Sequence, residues 1–153
     1  MDKIRNTISS DIKAMMEVID STGLFPGEML PEMIADYFAE NQSEAHWLTA
    51  ESNGKIVGLA YFLPERLTQL TLNLLLIAVH KEYQGRGLGK AILKEVVARV
   101  RELNSHLLLV ETSGHPHFEN TRKFYTDFGF QVEARIRDFY QIGEDKIVFW
   151  MRL

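Results

Sequence analysis

The sequence predicts an α/β domain of the α+β type, a mixed central sheet with helices on both faces, in the order β-α-α-β-β-β-α-β-α-β-β. Three observations carry the prediction. A glycine-rich turn, Gln84-Gly85-Arg86-Gly87-Leu88-Gly89, joins an apolar run to a segment of helical periodicity. That segment returns to a second apolar run, which makes a β-α-β unit with parallel strands and a right-handed crossover. Asn53-Gly54 separates two strand-like segments, the strongest short-range hairpin signal.

The elements follow in order. Lys3-Ile4-Arg5 reads as a short first strand. From Asp11 to Thr22, Ile12, Met15, Met16 and Ile19 recur at helical spacing, with Ser9 or Ser10 placed as a cap and Gly23 as the stop. A second helix spans Glu28 to Glu40, with Met29, Met33, Ile34, Tyr37 and Phe38 toward the core. Ala45 to Ala50 and Lys55 to Leu63 form the hairpin strands. Pro64 to Gln69 connects to Leu70 to Val79, apolar enough on both faces to be a central strand. Past the glycine turn, Leu88, Ile92, Val96, Val100 and Leu103 line one side of a helix, and Leu107 to Thr112 is the next buried strand. Phe118 to Phe128 makes the last helix, with Gly129 as its C-terminal cap. Phe130 to Tyr140 and Lys146 to Leu153 then pair around residues 141 to 145.

The 153 residues and 46% hydrophobic content suit one domain over residues 1–153 with its own core. With no cysteine, disulfides, thiolate metal ligands and a cysteine nucleophile are excluded together. The first residues lack the apolar stretch of a signal peptide and no run is long enough for a bilayer, so a cytoplasmic protein with no membrane partner is expected. The net charge of −4 is uneven: up to Asn53 there are ten acids against three bases, and after it fourteen bases against eleven acids. Such a division fits a protein that meets a cation with one part and a polyanion with another. The acids Glu28, Glu32, Asp36 and Glu40, four apart, read as a solvated helix face. No basic stripe suggests nucleic acid.

The glycine turn has the chemistry of an anion cradle. Glycines at 85, 87 and 89 let main-chain amides approach a ligand, and those amides lead into a helix N-terminus, where N–H groups lack internal partners and the aligned dipoles favour negative charge. A phosphate or pyrophosphate fits there. Two familiar phosphate loops fail on spacing. In G-x-G-x-x-G the third glycine would fall on Lys90, and in a Walker loop Ala91 stands where Ser or Thr is needed.

The residues satisfy instead Q/R-x-x-G-x-G/A, through Gln84, Gly87 and Gly89, with Ile77-Ala78-Val79 upstream. This resembles the acyl-CoA loop of the GNAT superfamily of N-acyltransferases. Phe124-Tyr125-Thr126-Asp127-Phe128-Gly129-Phe130 is similar to a second segment of that family, and the element order resembles its fold over essentially the whole chain. The resemblance implies transfer of an acetyl group from acetyl-CoA, without a metal, to a primary amine of a small molecule or a peptide. It implies that the pantetheine arm pairs with Ile77, Ala78 and Val79, the amide of Val79 acting as an oxyanion donor. It implies that Gln84, Gly85, Arg86, Gly87, Leu88, Gly89 and Lys90 hold the pyrophosphate.

It also implies that Tyr125 is the acid that protonates the leaving thiolate, the plain alternative being a packed helix tyrosine. Where many relatives carry a basic glutamate on the central strand, this chain has Asn73. That departure raises the alternative of a non-catalytic acyl-CoA-binding protein and makes Glu111 the substitute base, or else a partner for a nearby cation or amide. His80, His115 and His117 have side chains suited to proton work, although the His115-Pro116-His117 pair lacks a third metal ligand. Relatives carry a cofactor-contacting asparagine where this chain has Phe118; Asn120 lies two residues on, and Arg122 and Lys123 are alternative phosphate contacts. In the last hairpin, Asp138 and Tyr140 stand either beside the acceptor amine or as hairpin supports. Exposed strands there are compatible with a homodimer.

Overall fold

The computed structural model describes residues 2–39 and 43–153. The chain forms β1 (Asp2–Asn6), α1 (Ile12–Thr22), α2 (Leu30–Phe38), β2 (His46–Ser52), β3 (Lys55–Pro64), β4 (Leu72–Val79), α3 (Leu88–Glu102), β5 (Leu107–Ser113), α4 (Glu119–Phe128), β6 (Gln131–Gln141) and β7 (Glu144–Arg152). The expected order of strands and helices is therefore observed. One seven-stranded sheet runs β1-β2-β3-β4-β5-β7-β6, and its single parallel pair is β4 with β5. Among the described residues no helix is long and apolar enough to cross a membrane.

Two cores lie on opposite faces of the sheet. One packs Leu88, Ile92, Leu93, Val96, Val97 and Val100 of α3, with Tyr125 of α4, against β3, β4, β5 and β7. The other packs Met15, Val18 and Ile19 of α1 and Leu30 and Ile34 of α2 against Trp47, Leu59, Leu76 and Ala78. Each fully buried aliphatic side chain contributes about 1.5–3 kcal/mol by leaving water.

Strand β4 changes face partway along. Tyr61 pairs with Leu76 and Phe62 with Leu74, so Leu75 is an extra residue, a β-bulge. Side chains alternate along a strand, and one inserted residue reverses the alternation. Leu72 and Leu74 accordingly join the α3 core, whereas beyond the bulge it is Ile77 and Val79 that pack there, while Leu76 and Ala78 turn to α1 and α2. Leu75 itself is 50% exposed.

Local details correct several expectations. Neither Ser9 nor Ser10 caps the first helix: a 3-10 turn, Ser9–Asp11, precedes α1, and the Asp11 carboxylate accepts the Ile8 amide at 2.9 Å and Arg5 Nη1 at 2.7 Å. Helix α2 begins at Leu30, which takes the buried position, so Met29 and Phe38 are exposed rather than core. The expected end of that helix at Glu40 lies outside the described residues. Glu28, Glu32 and Asp36 are exposed, as a solvated face requires. Asn53 (φ 51°) and Gly54 (φ 80°) both adopt the left-handed conformation of a two-residue hairpin turn.

Candidate active site

The site begins where β4 and β5 part. They pair in parallel only from Leu72 to Leu74, opposite Leu108 to Val110, although β4 runs to Val79 and β5 to Ser113. Beyond Leu74 the β5 side of β4 has no strand partner among the described residues. The fork opens a groove of about 1170 Å³ whose walls include Leu74 to Val79, Gln84, Gly85, Gly87, Gly89 and Lys90. Its other walls come from Glu111 and Thr112 of β5, from Asn120, Phe124 and Tyr125 of α4, from Thr22 at the end of α1, and from Leu24 and Phe25 after it.

Gly85 (φ 78°) and Gly87 (φ 83°) hold the left-handed conformation that costs other residues about 1–2 kcal/mol, and a methyl group at either would meet no atom within 4 Å. The space where a side chain would stand is therefore open at both positions. Gly89 differs, since it lies in the first turn of α3, where a methyl group would sit 3.6 Å from Phe124. Its φ makes no demand for glycine; what it contributes is a bare wall of the groove.

The remaining loop residues divide by role. Gln84 Nε2 donates to the Val79 carbonyl at 3.0 Å, so this side chain ties the loop to the end of β4. Leu88 is buried in the α3 core, which leaves only its main chain for a ligand. Arg86 lies over the Tyr83 ring, 5.2 Å from its centroid, and outside the groove wall, whereas the exposed Lys90 lines it. Loop amides, a helix N-terminus, a lysine and an unpaired strand edge suit a long ligand that carries both phosphates and amide groups.

Tyr125 is 5% exposed and lines the groove from the α3 face of the sheet. Its ring packs near Phe124, Phe130 and Phe149 at 5.4, 5.7 and 5.5 Å. Burial pushes its phenol well above the ordinary tyrosine value, so at neutral pH the hydroxyl keeps its proton.

Glu111 is the first β5 residue beyond the parallel pairing. By strand alternation it belongs to the face opposite the buried Leu108 and Val110. Lys146 Nζ lies 2.8 Å from Glu111 Oε1, and Asn73 Nδ2 donates to Glu111 Oε2 at 3.4 Å. The same Asn73 nitrogen donates to Glu65 Oε1 at 2.6 Å. Glu111 is thus both a carboxylate at the fork and the partner of a cation and an amide. No sequence motif marks Glu65, which stands in the connection after β3 and comes beside Asn73 only through the fold.

Other expectations divide. Asn120 lines the groove one turn before Phe124, so its place two residues beyond Phe118 does not remove it from the site. Arg122 donates to the Ser113 and His115 carbonyls at 2.8 Å each, Lys123 pairs with Asp127, and neither is among the residues lining the groove. Asp138, in left-handed conformation, accepts the Gly143 amide at 2.8 Å and so supports the hairpin. Tyr140 belongs to the site's electrostatics: burial, then the charges of Glu111 and Glu144, push its phenol up. The Ser113 hydroxyl, 2.6 Å away, holds the Glu144 carboxyl below its ordinary value. His80 Nδ1 accepts the Glu82 amide, and His115 Nδ1 that of His117. Among the described residues no group of three His, Asp or Glu side chains is placed to hold a metal ion.

Comparison with known proteins gives a consistent result. Residues 43–132 match the family model of the Acetyltransferase (GNAT) domain. A crystal structure of a GNAT-family protein from Desulfovibrio desulfuricans superposes with a TM-score of 0.93 at 32% identity, covering 99% of each chain. The ribosomal-protein-S18-alanine N-acetyltransferase of Escherichia coli has a TM-score of 0.80 at 21% identity over 99% of this chain and 94% of its own. A Bacillus subtilis (strain 168) protein with the provisional name [ribosomal protein bS18]-alanine N-acetyltransferase is 26% identical over 98% of this chain and 95% of its own.

Proposed function

The chain belongs to the GNAT family of acetyl-CoA-dependent N-acetyltransferases, and from that premise we propose that its acceptor is the free amino terminus of a peptide. The Bacillus subtilis relative supports a peptide acceptor, an N-terminal alanine by its name. The observation that carries the reading is the fork between β4 and β5, where Glu111 and Tyr125 approach one groove from opposite faces of the sheet.

Acetyl-CoA supplies an activated acyl carbon on a sulfur that can leave as a thiolate. The unpaired edge of β4, Ile77 to Val79, offers main-chain groups to the pantetheine amides, with the Val79 amide as donor to the carbonyl oxygen as charge develops on it. The amides of residues 85 to 90 and the Lys90 ammonium hold the diphosphate. Glu111 accepts the proton of the attacking amine, directly or through one water. As the new C–N bond forms and the C–S bond breaks, Tyr125 Oη gives its proton to the departing sulfur. The atoms balance: one proton passes to Glu111, one leaves Tyr125, and solvent restores both.

Asn73 cannot accept a proton at neutral pH, which is the argument for a non-catalytic acyl-CoA binder. Glu111 at the fork supports the enzyme reading in its place. The test is transfer from acetyl-CoA to short peptides beginning with Ala, Ser or Met, alongside free amino acids, alkylamines and N-blocked peptides containing lysine, followed by thiol release and by the mass of the product. Acetylation of the peptide α-amine is expected. Transfer confined to lysine side chains or small amines would overturn the acceptor assignment, and thiol release from none of them would overturn catalysis.

A further inference from the structure

Asn73 is 2% exposed, and its carboxamide is only half satisfied. The nitrogen donates to Glu65 at 2.6 Å and to Glu111 at 3.4 Å, while Oδ1 is buried with no partner. Turning the amide over would aim its oxygen at two carboxylates, so the electrostatics fix its orientation. A buried acceptor left unpaired costs about 1–3 kcal/mol.

The two carboxylates on this amide are not equivalent. Glu111 has its cation in Lys146. Glu65 has no basic side chain within ion-pair distance among the described residues, and it is partly buried. Its position is set by the main chain: the Glu65 amide donates to the Thr71 carbonyl at 2.7 Å, and the Thr68 hydroxyl to the Glu65 carbonyl at 2.8 Å. A fixed, partly buried carboxylate with no cation of its own, joined through the Asn73 amide to a proton-accepting group, is complementary to a protonated primary amine, which offers three N–H donors and one positive charge.

We infer that Glu65 is the residue that recognises the acceptor as an ammonium ion, with Asn73 linking it to Glu111: the ammonium gives its first proton to solvent to become the free amine, and Glu111 takes the second as the C–N bond forms. The assignment separates two tasks that one carboxylate performs poorly together. A carboxylate that binds an ammonium tightly stabilises the protonated, unreactive amine. Here Glu65 attracts the charge, and Glu111, already balanced by Lys146, takes the proton. The inference rests on the acetyltransferase reading and adds a specificity-determining residue to it.

The test measures binding rather than turnover, on protein saturated with CoA, which carries no acyl group to transfer. Titration calorimetry compares an alanyl tripeptide with its N-formyl form, and hexylamine with hexanol, for wild-type protein and for Glu65→Gln. Wild-type protein should favour the charged member of each pair, and Glu65→Gln should reduce that preference about tenfold while leaving the uncharged members unaffected. Equal preference in the two proteins overturns the inference, as does a wild-type protein with no preference. Binding of hexylamine with no binding of the peptide overturns the peptide acceptor alone. A variant that weakens charged and uncharged members alike, or whose melting temperature falls, shows Glu65 to be a structural tether and also overturns it.

Discussion

Lys146 Nζ lies 2.8 Å from Glu111 Oε1, across the antiparallel pairing of β5 with β7 that places Val148 opposite Glu111. A base that carries its own cation has a countercharge in a half-buried site without help from the substrate. The ion pair also holds the carboxylate at the mouth of the fork.

Replacement of Glu111 by Gln should therefore lower kcat by about 10²- to 10⁴-fold, the usual value of a positioned proton acceptor, with acetyl-CoA affinity unchanged. Steady-state kinetics with the accepted amine and calorimetry with acetyl-CoA check the two halves. A variant retaining a third or more of the rate would move the base elsewhere.

Tyr125→Phe keeps the ring that packs near Phe130 and Phe149 and removes only the hydroxyl. Stability should be preserved in a thermal melt, while kcat falls by about 10²- to 10⁴-fold. A poorer leaving group should suffer more than a better one, so thioesters of differing thiol acidity provide a further check.

At Gly87, φ of 83° puts a side chain in strain whatever space surrounds it. Gly87→Ala should cost about 1–2 kcal/mol of stability, or else force the turn to change and weaken acetyl-CoA binding. Gly89→Ala introduces no such strain, and its effect should fall on cofactor affinity alone. Denaturant midpoints and cofactor titrations on both variants distinguish strain from obstruction.

Asp11 governs an acid-sensitive part of the fold. Burial by itself pushes its carboxyl up, but hydrogen bonds from Arg5 and from the Ile8 amide outweigh it, and the group ionises below the ordinary carboxylate range. A carboxyl depressed in the folded state adds stability that is fully present above its unfolded pKa of about 4 and is lost as pH falls through the lower folded value. Asp11→Asn should cost about 1–3 kcal/mol at pH 7 and flatten the loss of stability below about pH 4. Melting temperature followed from pH 7 to pH 2 for both proteins checks the sign.

The fold was largely legible because periodicity and turn chemistry agree along the chain, and the α3 stripe from Leu88 to Val100 is buried as read. Errors fell at helix ends, where a single position decides the face: Leu30 displaces Met29 from the core once the helix begins two residues later. The shape of the loop was legible at Gly85 and Gly87, whose left-handed conformation makes the tight turn that glycine permits. The site was not legible where function depends on what tertiary contact spends. Gln84 and Arg122 have side chains suited to phosphate, but both are committed to carbonyls that only the folded chain brings near. Glu65 and Asn73 are eight residues apart along the chain, and only the return of β4 beside β3 joins them.

The extra residue at position 75 also constrains how such a protein can vary. Excising it would leave every side chain on its present face, because Leu74 and Leu76 already stand on opposite sides of the sheet and would become ordinary neighbours; what would be lost is the local bend. The pairing of β3 with β4 would survive on both sides, and the change would fall on the course of β4 just where it parts from β5.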